Sequence, residues 1–112
     1  WLNDDELNFY TETFFENGFQ SSLNWYRCMT SQTQNNNLKI FSGKQIEIPS
    51  MFISGEKDWG MYQKPGALKI MQKKTCKNFH GIKIVKNAGH WVQQEQPEHV
   101  LNLLLNFKNS LN

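Results

Sequence analysis

The sequence predicts an α/β architecture: two helices, then a strand–helix–strand–helix unit with parallel strands. Three observations carry this. Apolar residues recur at helical spacing near both ends of the chain. Two short apolar runs, "SMFISG" and "IKIVKN", are each followed by polar residues. Between the runs, Pro65-Gly66 opens a further helical pattern. A strand, a helical crossover and a second strand almost always give two parallel neighbours in one sheet.

The first helix is expected over residues 3–17. Asn3 can cap it and Glu6 stands three residues on, a capping-box pair. Leu2 and Leu7 are spaced as a hydrophobic staple. Asp4, Asp5 and Glu6 suit the positive helix start. Leu7, Tyr10 and Phe14 form its apolar stripe, and Gly18 stops it. Ser21 or Ser22 is expected to cap a second helix bearing Leu23, Trp25, Tyr26 and Met29. The polar run "SQTQNNN", residues 31–37, has little helical preference and is expected to be a loop.

Residues 38–49 cross over to the first strand, "SMFISG". The cluster "EKD" then forms a loop. Ala67, Leu68, Met71 and Thr75 share one face of the crossover helix, and Gly81 ends that region. The second strand is "IKIVKN". Pro97 suits a first helical position, and Val100, Leu104, Phe107 and Leu111 stripe the last helix.

Length and charge narrow the function. The 112 residues suit one domain. Plentiful aromatics argue against disorder. Residues 1–37 set five carboxylates against Arg27 alone, a net −4; residues 38–112 set eleven lysines against five carboxylates, a net +6. That asymmetry suggests two structural units, 1–37 and 38–112. The overall +2 gives no strong field for nucleic acid or a membrane surface. Cys28 and Cys76 lack metal-ligand spacing and are expected to be free thiols in a reducing, cytoplasmic compartment. No apolar run approaches the ~20 residues that span a bilayer. No Gly-rich phosphate loop and no metal-ligand cluster stands in the chain, so no cofactor is expected. The chain begins with Trp1 rather than Met, and a processed or partial chain is expected.

The parallel geometry gives Asp58 and His90 a possible meeting point. Asp58 follows the first strand and His90 the second. Parallel strands end on the same edge, and neighbours lie ~4.8 Å apart. That edge is where open α/β sheets bind ligands. A carboxylate beside an imidazole fixes its tautomer and lets it act as a base. Each residue alone also suits a solvated turn. His80, just before the second strand, and His99, in the first turn of the last helix, carry less. Trp59 and Trp91 flank the proposed pair and suit either an apolar pocket wall or packing at the strand ends.

The stretches "GFQSSLNWYR", "IPSMFISGEKDWG" and "NAGHWVQQEQPEHV", in this order and spacing, resemble the C-terminal half of soluble epoxide hydrolases of the α/β-hydrolase superfamily. The resemblance covers essentially the whole chain. It implies a C-terminal fragment of an α/β-hydrolase fold: the end of a helical cap over 1–37 and the last part of the core over 38–112. It implies that Asp58 orients the catalytic histidine and that His90 is the general base activating water. It implies that Tyr26 is one of two cap tyrosines that hydrogen-bond the epoxide oxygen and protonate the opening alkoxide. Trp25, Trp59 and Trp91 become candidates for the substrate pocket.

The implied chemistry needs a nucleophilic carboxylate, and none is evident here. The aspartates are Asp4, Asp5 and Asp58, and no Gly-x-Asp-x-Gly or Gly-x-Ser-x-Gly elbow occurs. The His-Gly-x-Pro oxyanion segment and the other cap tyrosine are absent too, Tyr10 and Tyr62 not matching that tyrosine's position. The expectation is therefore an inactive isolated chain that needs the N-terminal half of the same enzyme to fold. Its partners would be a small epoxide and water, with no nucleic acid and no membrane. A haloalkane or haloacetate dehalogenase or a serine esterase shares the Asp58–His90 logic. A non-catalytic interaction module is the remaining alternative.

Overall fold

A computed structural model describes residues 1–111. Its contacts divide the chain into two compact units, Trp1–Lys44 and Gln45–Asn112.

The first unit is helical. α1 (Asp4–Asn17) starts on a full capping box. Glu6 N donates to Asn3 Oδ1, and Asn3 N donates to Glu6 Oε2, both at 2.9 Å. Gly18 closes it at φ 66°. α2 (Gln20–Thr30) begins earlier than expected: Phe19 is the capping residue, neither Ser21 nor Ser22 caps, and both lie in the first turn. The turn is held instead by the Phe14 and Phe19 rings, stacked at 4.5 Å and 9°.

Of residues 31–37, expected to be a loop, all but the capping Ser31 are helical. Gln32–Asn37 form α3, which runs into a 3-10 turn over Leu38–Phe41. Side chains compensate for the weak propensity. Gln32 Nε2 donates to Asn36 Oδ1 at 3.2 Å, a pair on one helix face. Asn35 Nδ2 donates to the Met29 carbonyl at 3.1 Å, tying α3 to the last turn of α2. None of these helices holds a buried residue. Leu7, Phe9, Phe15, Trp25 and Tyr26 are all exposed.

The second unit carries the sheet. β1 (Ser50–Gly55) and β2 (Phe79–Val85) pair in parallel, as the strand–helix–strand order predicts. The crossover contains a 3-10 turn (Trp59–Tyr62) and α4 (Ala67–Ile70), which continues as a π-turn over Met71–Thr75. Ala67, Leu68, Met71 and Thr75 are its half-buried positions, the face expected from their spacing. An isolated parallel bridge, Ile46 with Cys76, extends the pairing upstream. Both cysteines are free thiols, Cys28 exposed and Cys76 buried.

Gly81 lies inside β2 rather than ending the region before it, and His80 is a strand residue. Ser50 pairs with Phe79 and Phe52 with Ile82, so β2 carries one extra residue there. Gly81 absorbs it at φ 101°.

The core is small: Val85, Ala88 and Val100, with Ile53, Val92 and Leu103 packed against it. The last helix is α6 (Pro97–Asn109), with Pro97 in its first turn, after the short α5 (Val92–Glu95). Its inner stripe is Val100, Leu103 and Phe107. Leu104 and Leu111, expected in that stripe, are exposed. The stripe is rotated because the β2 end presents Val85 and Ala88 to the Val100–Leu103 side.

Gly55, the last residue of β1, pairs with Val85, the last of β2. A Cβ added at Gly55 would overlap the backbone carbonyls of Gly89 and Ala88. Backbone cannot yield as a flexible side-chain tip can. Gly55→Ala in the full-length protein is therefore expected to lower stability by roughly 1–3 kcal/mol. Urea midpoints at unchanged slope measure this; an unshifted midpoint would show that the two loops separate without cost.

Candidate active site

The two strand ends continue side by side as loops. Glu56 N donates to the Val85 carbonyl and Lys57 N to the Ala88 carbonyl, both at 2.9 Å. Asn87 turns the second loop at φ 58°, a left-handed position that asparagine tolerates. Asp58 and His90 are thereby delivered to one edge. His90 Nδ1 lies 3.1 Å from Asp58 Oδ1.

Asp58 is held from three sides. Its Oδ1 also accepts the Gly60 N–H at 2.7 Å, and its Oδ2 accepts the Ser54 hydroxyl at 3.2 Å. Ser54 is buried, the one polar residue among the described ones in that class. The Asp58 side chain is 13% exposed and that of His90 57%. The acid is thus anchored beneath a ring open to solvent.

Burial alone would raise the pKa of Asp58. The Gly60 N–H, the His90 ring and the Ser54 hydroxyl outweigh it, each favouring the charged form, and attraction to His90 adds to them. The net result is a carboxyl held below its ordinary range. An ionised carboxylate only accepts, so Nδ1 is the nitrogen that carries a proton. In the neutral ring Nε2 is then an acceptor, able to take a proton from water.

Two indoles frame the imidazole. The Trp59 ring stands 6.4 Å from His90 at 23°, and the Trp91 ring 5.3 Å away at 73°. Both rings are exposed. Trp25 and Tyr26 lie on α2 in the first unit, exposed. Trp25 lines a cavity of about 560 Å³ there with Cys28, Met29 and Leu38. His80 takes no part: its Nε2 lies 3.1 Å from Asn78 Oδ1, and its ring meets Phe107 edge-on. Among the described residues no group of three or more His, Cys, Asp or Glu could hold a metal ion. Nor is any described helix long and apolar enough to cross a membrane.

Sequence reasoning missed Ser54 and the Gly60 N–H as partners of Asp58. A serine four residues before the acid, at a strand end, was the only available signal. It also gave Glu95 no role, although Glu95 stands within one of the motifs.

No family model matches the chain. The chain is 32% identical to epoxide hydrolase B of Mycobacterium tuberculosis over 115 residues, covering 99% of this chain and 30% of that protein. It is 31% identical to epoxide hydrolase 3 of Siraitia grosvenorii over 104 residues, covering 89% and 32%. Among solved structures, potato epoxide hydrolase superposes with a TM-score of 0.84 at 28% identity, over 98% of this chain and 35% of that one. The chain therefore has the fold of the C-terminal part of an α/β-hydrolase enzyme. More particularly, it matches the C-terminal part of epoxide hydrolases, and it spans about a third of the length of these relatives.

The lowered Asp58 pKa has a signed consequence. A depressed carboxyl contributes stability above its ordinary pKa and loses it as pH falls through the depressed value. Asp58→Asn is thus expected to destabilise the full-length protein most above about pH 5, with the gap narrowing below about pH 4. Denaturant midpoints across that range are the measurement. A gap of constant size down to pH 2 would mean that the three donors do not hold the charge.

Proposed function

We propose that these residues supply the acid–base half of an epoxide hydrolase, which opens an epoxide to a vicinal diol. The observation that carries the reading is the 3.1 Å Nδ1–Oδ1 contact between residues 32 positions apart, at one edge of a parallel strand pair. The relatives named epoxide hydrolase support the choice of substrate class. In this reading residues 1–37 belong to the cap and 38–112 to the core. The rest of the enzyme covers the apolar helix faces that the chain exposes.

The steps follow from the residue types. A carboxylate carried outside these 112 residues attacks an epoxide carbon. A carbon–oxygen bond to the enzyme forms as the ring carbon–oxygen bond breaks. The released alkoxide is strongly basic, and a tyrosine hydroxyl of pKa ~10 is a suitable donor. Tyr26 has this role. Water then attacks the ester carbonyl while His90 Nε2 takes its proton. The diol leaves, the carboxylate is restored, and the proton on His90 passes through solvent to the tyrosinate. Asp58 keeps the ring in the correct tautomer and stabilises the imidazolium that forms. Trp59 and Trp91 supply apolar surface beside the imidazole, and Trp25 supplies apolar surface within the cap.

Two substitutions in the full-length enzyme separate the steps. His90→Gln is expected to allow one round of ring opening and to stall at the ester, cutting steady-state turnover by roughly 10²–10⁴-fold. Quenched-flow with mass detection of the alkylated enzyme reads this. Turnover at the wild-type rate would remove His90 from the mechanism. Tyr26→Phe is expected to slow ring opening of epoxides by a similar factor. A leaving halide needs no proton, so a dehalogenase would be insensitive to Tyr26→Phe, and undiminished epoxide turnover would sink the donor role.

A further inference from the structure

Asp58 orients the imidazole ring of His90, but nothing in that contact fixes the backbone from which the ring hangs. A second carboxylate does. Glu95 Oε2 accepts the Gly89 N–H at 2.7 Å, and Glu95 Oε1 accepts the Trp91 N–H at 3.0 Å. These are the residues on either side of His90. We propose that Glu95 is a positioning residue for the reaction, holding the His90 backbone through both flanking amides. This rests on the reading of His90 as the general base.

The geometry is more than helix capping. Trp91 caps α5, so its N–H lies at that helix start. Gly89 stands two residues further back, outside the helix. A carboxylate serving α5 alone would have no reason to reach it. Gly89 leaves room for this approach: a Cβ there would stand 3.2 Å from Glu95 Oε1, a tight contact that the carboxylate tip could relieve only by shifting a few tenths of an ångström. The Trp91 carbonyl meanwhile accepts from Gln94 N at 2.8 Å and Glu95 N at 2.9 Å. On the upstream side the Ala88 carbonyl accepts from Lys57 N. His90 is therefore suspended between a β1-loop contact before it and the Glu95 carboxylate around it. Glu95 and Gly89 are half-buried, so water competes less for these bonds than at the surface. Charge-assisted bonds of this kind are roughly twice as strong as neutral ones.

The chemical consequence is positional. A shift of about 1 Å at a reacting group can cost about 10² in rate. Loosening the His90 backbone should therefore lower kcat while leaving substrate binding alone. Glu95→Gln in the full-length protein is isosteric but keeps only one acceptor oxygen. It is expected to lower kcat about 10-fold with KM changed less than about 2-fold; Glu95→Ala is expected to lower kcat about 100-fold. Amide hydrogen exchange by NMR supplies a readout independent of activity. Protection should fall selectively at Gly89 and Trp91 in both variants and stay unchanged along β1, β2 and α6. Wild-type kcat in both variants would overturn the proposal. So would unaltered exchange at those two amides, or a uniform loss of protection across the unit, which marks a merely structural role. A protein that opens no epoxide at all would remove the reading of function, and the exchange pattern would still decide whether Glu95 holds the loop.

Discussion

The register at the C-terminal ends of the two strands is the constraint on which the site depends. Gly55 opposite Val85 places the following loops in contact, and two backbone bonds keep them so. Asp58 and His90 are separated by more than thirty residues, and no local interaction could bring them together. Parallel pairing does so because both chains leave the sheet at the same edge. The absence of a side chain at Gly55 is part of the same constraint, because the carbonyls of Ala88 and Gly89 occupy the space a Cβ would need.

Around that junction two carboxylates work in different ways. Asp58 collects a backbone N–H, a buried hydroxyl and the imidazole, and its charge is favoured despite partial burial. Glu95 collects two backbone N–H groups, those of Gly89 and Trp91. One acts on the orientation of the histidine side chain, the other on the chain that carries it. The imidazole itself stays open on one side, between two indoles. Fixed donors, rather than deep burial of the imidazole, organise the charge here.

The rest of the molecule is lightly packed. Val85, Ala88 and Val100 form the buried cluster, and the N-terminal helices bury none of their residues. Aromatic rings on α1 and α2, among them Phe9, Phe15, Trp25 and Tyr26, are exposed. The match to a third of the length of known epoxide hydrolases agrees with such exposed faces.

Local chemistry was legible from the residues. The Asn3–Glu6 box, the Gly18 stop, the β1 limits and Pro97 at a helix start all follow from short-range rules that hold in any context. The parallel order and the Asp58–His90 meeting followed from topology, since a crossover leaves few alternatives. Where tertiary contacts compete with propensity, the residues misled. The Phe14–Phe19 stack moved the start of α2, and the Asn35 bond to Met29 helped turn a polar run into helix. Gly81 entered a strand because the pairing needed an extra residue there. Ser54, Gly60 and Glu95 acquired their roles only in three dimensions. A hydrogen bond depends on where an N–H or a hydroxyl points, and that direction is set by the assembled backbone, not by residue type.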